Sequence, residues 1–86
     1  MSVDGLIVLP SAHDAERTAE RLIEAVEGRG ITVLADIDHG KAAADAGLDL
    51  RPARVILFGN AKAGTPVMQH VQTAAIDLPL KALVWQ

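Results

Sequence analysis

The 86-residue chain is long enough for one domain, but it lies near the lower size limit for burying an independent core. Its formal net charge of −3 and its scarcity of aromatic residues argue against nucleic-acid binding, which favours basic surfaces and stacking side chains. The absence of Cys excludes disulfides, thiolate metal sites and a thiol nucleophile.

The first predicted element is a strand over Gly5–Leu9, a short apolar run that Pro10 ends. This run is too short for a signal peptide and follows no basic region. No apolar run approaches the roughly 20 residues needed to cross a bilayer. We therefore expect a soluble, cytoplasmic protein without membrane contacts.

A helix is predicted next, with Ser11 as its cap and Asp14 near the positive end of the helix dipole. Apolar residues recur at spacings of three and four up to Val26, and Gly28 and Gly30 end the helix. The alternation from Ile31 to His39 then predicts a half-buried strand with Ile31, Val33, Ala35 and Ile37 on its core side. By the same alternation, His39 lies on the core side at the end of this strand.

The rest of the chain predicts shorter elements. Asp38 or His39 opens an alanine-rich helix that Gly47 ends. A strand follows over Arg54–Phe58, then a loop over Ala61–Gly64. Thr65 and Pro66 have the composition of a helix start, with Thr as the cap. A last strand is predicted over Leu80–Trp85.

These elements predict an α+β fold within a single domain over residues 1–86. Because the second and third helices are short, we expect a two-layer sandwich rather than a parallel sheet covered on both faces. The sheet is expected to have four strands, mainly antiparallel or mixed, with one long helix and two short ones.

Five sequence blocks follow one another in the second half of the chain: DH at 38–39, GL and LRP within 47–52, FGN at 58–60, GTP with a later Met within 64–68, and AIDLPLK at 75–81. Their order resembles the DUF302 family, a domain of unknown function. The resemblance implies an α+β sandwich, and it implies that family members continue beyond the last block. Since this sequence stops at Gln86, either the further strand is dispensable or a second copy covers the exposed edge and face. An uncovered edge beside Trp85 is a liability, so we expect a homodimer.

Asp38 and His39 are the first candidates for chemistry. An acid beside a His suits a general base or a metal ligand. Adjacent residues on a strand point to opposite faces, however, so the alternative is a helix-capping Asp and a His bonded to backbone.

The segment 59–66 is the second candidate, because its glycines and the amides of a helix start suit a small anion, with Lys62 adding charge. Thr65 stands where a P-loop has Lys, so ATP binding is not indicated. A tight turn with a capped helix is the equally weighted alternative.

His39 and Met68 together suggest a less favoured haem or copper site, since His/Met ligation occurs in both. Arg51 and Asp77 are expected either to pair or to line a pocket. No nucleophile–base set can be assembled, so an enzyme is not expected.

The favoured hypothesis is a non-catalytic binding module for a small, anionic ligand, acting as a homodimer without a cofactor. Its site would lie where the 38–39 end meets the 59–68 segment. The alternatives are a structural or protein-interaction domain, and a haem or metal protein using His39 and Met68. The candidate ligand-binding residues are His39, Arg51, Asn60, Gly64, Thr65 and Asp77.

Overall fold

A computed structural model describes residues 6–86. Its elements, in chain order, are helix α1 (Ala15–Gly28), strand β1 (Thr32–Asp38), helix α2 (His39–Asp45), strand β2 (Ala53–Gly59), helix α3 (Ala61–His70), a 3-10 helix (Gln72–Asp77) and strand β3 (Leu80–Trp85). Within this part of the chain, no helix is long and apolar enough to cross a membrane.

The three strands form one antiparallel sheet in the order β1-β2-β3. The α+β class is therefore confirmed, but the predicted fourth strand is not found among the described residues. Residues 6–9 are exposed and form no strand, while Gly5 lies outside the described part. An apolar, β-branched composition favours a strand only when a neighbouring strand pairs with it, and here none does.

Helix α1 packs against all three strands and provides most of the core. Ala19 and Val26 face the sheet, where Ile56 at the centre of β2 is 0% exposed. The cap is Asp14, whose carboxylate accepts a hydrogen bond from the Arg17 amide, rather than the predicted Ser11. The Ser11 hydroxyl instead accepts from the His13 amide, so it belongs to the turn before the helix.

The sheet has two unlike faces, defined by the alternation of side chains along each strand. The helix face lies under α1 and centres on Ile56 and its cross-strand partners Asp36 and Ala82. The opposite surface, here called the open face, is apolar except for Lys81 and, at the end next to Gly59, Thr32. It consists of Thr32, Ala35, Ile37, Ala53, Val55, Leu57, Lys81, Leu83 and Trp85.

A bulge in β1 changes which residues face the core. The predicted alternation placed Val33, Ala35 and Ile37 together on the core side. In the structure Val33 lies opposite Phe58 and Ala35 opposite Leu57, with Leu34 as the extra residue between them. Because a bulge shifts the alternation by one position, Ala35 and Ile37 lie on the open face.

Asp38, one of the two residues predicted to open helix α2, is its N-cap. The Asp38 carboxylate accepts a hydrogen bond from the Lys41 amide at 2.9 Å, which confirms its capping role. Gly47 follows the helix with φ of +75°, a left-handed conformation that glycine adopts without steric cost. His39 is exposed as the first helical residue, so its predicted place on the core side of a strand is wrong.

Helix α3 begins earlier than predicted. Asn60 caps it, with its side-chain oxygen accepting from the Lys62 amide at 2.9 Å. Thr65 is therefore inside the helix rather than at its cap, and the predicted loop over Ala61–Gly64 is helical. Asn is as good a cap as Thr, and its position directly after β2 lets the helix begin without a loop.

Candidate functional site

The sheet register places the two predicted halves of the ligand site at opposite ends of the sheet. Asp38 pairs with Arg54 at the start of β2, whereas Gly59 at the other end of β2 pairs with Thr32. Five residue steps of extended strand separate the two ends by roughly 17 Å. The expectation that the 38–39 and 59–68 segments meet in one concave site is therefore wrong, because β1 and β2 are antiparallel.

The end at Asp38 holds two of the six candidate residues, His39 and Arg51, both exposed. An open depression of about 490 Å³ lies there, beside Gly40 and Pro52. The charged residues that line it are three acids, Asp14, Glu16 and Asp38, and one base, Arg54. An excess of carboxylates disfavours an anion, which is the ligand type that the sequence suggested.

The opposite end holds the other four candidates, Asn60, Gly64, Thr65 and Asp77. Asn60 uses its side-chain oxygen to cap α3. A Cβ on Gly64 would lie 3.7 Å from the Leu78 side chain, so this glycine sits where α3 meets the segment before β3. Asp77 ends the 3-10 helix, far from Arg51, so the suggested pairing of those two charges is not formed.

The structure places His39 and Met68 in elements at different ends of the sheet. His39 begins α2 at one end of the sheet, while Met68 belongs to α3, which packs mainly against the 3-10 helix at the other end. Between residues 6 and 86, no group of three or more His, Asp or Glu side chains is arranged to hold a metal ion.

The structure reveals an ion pair that the sequence pattern did not indicate. Arg54 donates from Nε to Asp36 Oδ1 at 3.1 Å and from Nη2 to Asp36 Oδ2. This two-point hydrogen bond raises the pKa of the Arg54 guanidinium above its ordinary value, with help from the charges of Asp36, Asp38 and Glu16. Side-chain exposures of 21% for Arg54 and 31% for Asp36 show that the pair is partly shielded from water.

The open face leaves several large apolar side chains in contact with water. Ile37 is 43% exposed, Leu83 49% and Trp85 51%, although all three are large and apolar. Leu50 extends this surface, since it lines a depression together with Ala53 and Trp85. Exposed apolar surface is a common feature of sites where small proteins bind partners.

Part of the signal for this face is present in the sequence. Leu83 and Trp85 alternate with Ala82 and Val84 in β3, so both faces of β3 are apolar. A half-buried strand would instead carry polar residues on its outer side. In β1, the bulge after Val33 interrupts the alternation and hides this signal.

Three curated proteins from Brucella species match most of the chain. The Brucella suis protein "Fluoride-specific ion channel FluC 1" is 40% identical over 82 residues, covering 95% of this chain and 32% of that protein. The Brucella abortus protein of the same name is also 40% identical and is covered to 30%. The chain thus spans about a third of the length of these relatives.

A solved structure shares the fold. The crystal structure of the uncharacterized conserved protein DUF302 from Bacillus stearothermophilus superposes with a TM-score of 0.81, at 24% identity. The likeness covers 91% of this chain and 62% of the other. The family model described as "Domain of unknown function DUF302" matches residues 7–86. Because this family model spans nearly the whole sequence, the chain belongs to the DUF302 family.

Proposed function

We propose that the chain is a non-catalytic interaction module that pairs with a second copy through its open face. The observation that carries this proposal is the contrast between the two sides of the sheet. Ile56 is fully buried under α1, whereas Ile37, Leu83 and Trp85 on the other side are each about half exposed. Burying apolar side chains of this size against a like surface is favourable.

A second copy is the partner that best fits the chemistry of this face. Lys81 is its only charged residue and lies toward one end, so the centre offers neither hydrogen bonds nor charges to a polar ligand. Two such faces related by a two-fold axis form an ordinary sheet-on-sheet contact, about 10 Å apart. This arrangement gives the module the homodimer expected from the sequence.

The size of the face sets the expected affinity. Three strands about 4.8 Å apart and seven residues long give a projected area of roughly 350 Å² per copy. Stable dimers bury about 800 Å² per partner. The open face alone therefore predicts a weak dimer, with dissociation in the micromolar range or above.

Fluoride conduction is not part of this proposal. The matched segment makes up 32% of the Brucella suis protein, and its name describes that whole protein. The module proposed here uses only residues within the matched segment.

The test is light scattering coupled to gel filtration, from about 1 µM to about 1 mM protein. We expect dimers at the upper concentrations and a monomer for Leu83→Glu, which places a charge in the contact. Ile76→Glu is the matched control, because Ile76 is 83% exposed in the 3-10 helix outside the sheet. The proposal fails if the wild type stays monomeric throughout, or if both variants dimerise equally.

Native mass spectrometry of protein purified from cells provides a second readout. It reports the number of subunits and any retained small molecule in one spectrum. A monomer carrying a stoichiometric small molecule would contradict the proposed module and favour the ligand-binding hypothesis.

A further inference from the structure

Among residues 6–86, neither the outer edge of β3 nor the apolar segment of residues 6–9 has a strand partner. Within this part of the chain β3 pairs only with β2, so the amide and carbonyl groups of its other side are open. The segment Leu-Ile-Val-Leu is uncharged and rich in strand-forming residues, yet its side chains are between 45% and 91% exposed. We propose that residues 6–9 of one copy add to the β3 edge of a second copy as a fourth strand.

The two edges of the sheet differ in how well they resist such pairing. β1 carries a bulge after Val33 and two acids, Asp36 and Asp38, features that prevent strand addition at an edge. β3 is regular along its whole length, and Lys81 is its only charge. The edge that accepts a strand is therefore β3.

The surroundings of this edge suit an apolar strand. A groove of about 440 Å³ runs between Val8–Pro10 and Leu83–Trp85, and no Asp, Glu, Lys or Arg lines it. Within residues 6–86, no backbone hydrogen bond joins the segment to β3 across this groove. The segment thus lies beside the edge of its own chain without occupying it.

The proposed dimer brings the second copy within reach. When two open faces pack so that β3 lies over its symmetry mate, the two edges are about 10 Å apart. Three residues of extended chain span that distance. Reciprocal exchange of the two segments then enlarges the contact and covers both open edges, which is the β-addition mode of recognition. This inference rests on the proposed self-association of the open faces.

Cysteine trapping tests the exchange, because the chain has no Cys of its own. One copy carries Val8→Cys or Leu9→Cys, and a second, size-tagged copy carries Val84→Cys. Adjacent strand residues point to opposite faces, so one of the two donors shares the side of Val84. Oxidation of the mixed copies is expected to give a tagged–untagged dimer with that donor, and none with Ile76→Cys.

The outcomes separate this inference from the proposed function. If Val8→Cys and Val84→Cys join only when both are in one chain, the segment closes on its own β3 and the inference is overturned. If wild-type dimers form but neither donor cross-links, the exchange is wrong and the open-face dimer stands. If no dimer forms at any concentration, both proposals fail.

Proline variants give a second readout without cysteine chemistry. Only alternate residues of an added strand donate their N–H to the edge, so Ile7→Pro and Val8→Pro are both made, and one of them removes such a donor. Ile7→Ser and Val8→Ser keep the donor and change only the side chain. We expect one of the two Pro variants to have a dimer dissociation constant about tenfold or more above that of its Ser counterpart. Equal constants within both pairs would overturn the exchange.

Discussion

Arg54 lies directly across the strand pair from Asp38, yet its guanidinium binds the diagonal neighbour Asp36. The reason is that the Asp38 carboxylate already caps α2 through the Lys41 amide. Two acids on the same face thus have separate roles: one starts a helix and the other holds the Arg. The Asp38 cap fixes the start of α2 at the end of β1, and the Asp36–Arg54 pair joins β1 to β2 at the same end of the sheet.

The Arg54–Asp36 pair is expected to stabilise the fold measurably. A double-mutant cycle of Arg54→Met and Asp36→Asn should give a coupling free energy of about 1–2 kcal/mol, since two charge-assisted bonds form at a partly shielded site. The matched control is the exposed pair Arg17–Glu20 on α1, 3.1 Å apart. Its coupling should stay below about 0.5 kcal/mol. Urea unfolding of each variant measures both, and equal couplings would contradict the prediction.

The pH dependence of this coupling follows from the raised pKa of Arg54. A basic group with a raised folded pKa contributes stability below its unfolded pKa, and the contribution disappears as pH rises through the folded value. For an Arg, that loss lies above about pH 12. The coupling should therefore be constant between about pH 6 and pH 10, as urea unfolding at several pH values will show. If the coupling free energy declined within this pH range, the titration of another group would have to control it.

Substitutions at the observed cap, Asn60, and at the predicted cap, Thr65, test where α3 begins. Asn60→Ala should destabilise the helix by about 1 kcal/mol, because it leaves the Lys62 amide without its acceptor. Thr65→Ala, at the position that the sequence favoured, should change the unfolding free energy by less than about 0.5 kcal/mol. Amide hydrogen exchange over residues 61–64 should accelerate only in Asn60→Ala. The reverse pattern would show that the helix begins at Thr65.

The fold was predictable where a local signal determined the structure. Asp38 as a cap and Gly47 after α2 follow from short-range backbone chemistry, and both are found. The strand at residues 5–9 and the faces of β1 depend instead on pairing with distant residues. A bulge or a missing partner strand leaves no local trace, so the composition of these segments gave the wrong answer.

The candidate site was predictable only as a set of residue types. The sequence indicates His39 through the acid beside it and Asn60 as a polar residue in a turn-rich block, but the antiparallel register of β1 and β2 places them at opposite ends. Likewise, the pairing of Arg54 with Asp36 joins residues 18 positions apart, which required the register to be known. The open face could be identified only once the position of α1 was known, because α1 covers one side of the sheet.

Gly47 provides a test of backbone conformation after α2. Its φ of +75° should make Gly47→Ala cost about 1 kcal/mol of unfolding free energy, since a Cβ is strained there. Gly28 ends α1 without a positive φ, and no atom lies within 4 Å of an added Cβ. Gly28→Ala should therefore be neutral or slightly stabilising in the same thermal or urea unfolding measurement. A neutral Gly47→Ala would contradict the left-handed conformation.

Trp85 gives a direct optical test of what covers the open face. It is the only Trp, the chain has no Tyr, and half of its surface is exposed, so its fluorescence reports this face alone. As protein concentration rises, emission should shift to shorter wavelength, because association removes water from the indole. Sodium sulfate should lower the concentration at the midpoint, since it strengthens apolar burial. Leu83→Glu should show no shift over the same range, while Ile76→Glu should follow the wild type. Constant emission in a sample that light scattering shows to be dimeric would place the contact elsewhere on the molecule.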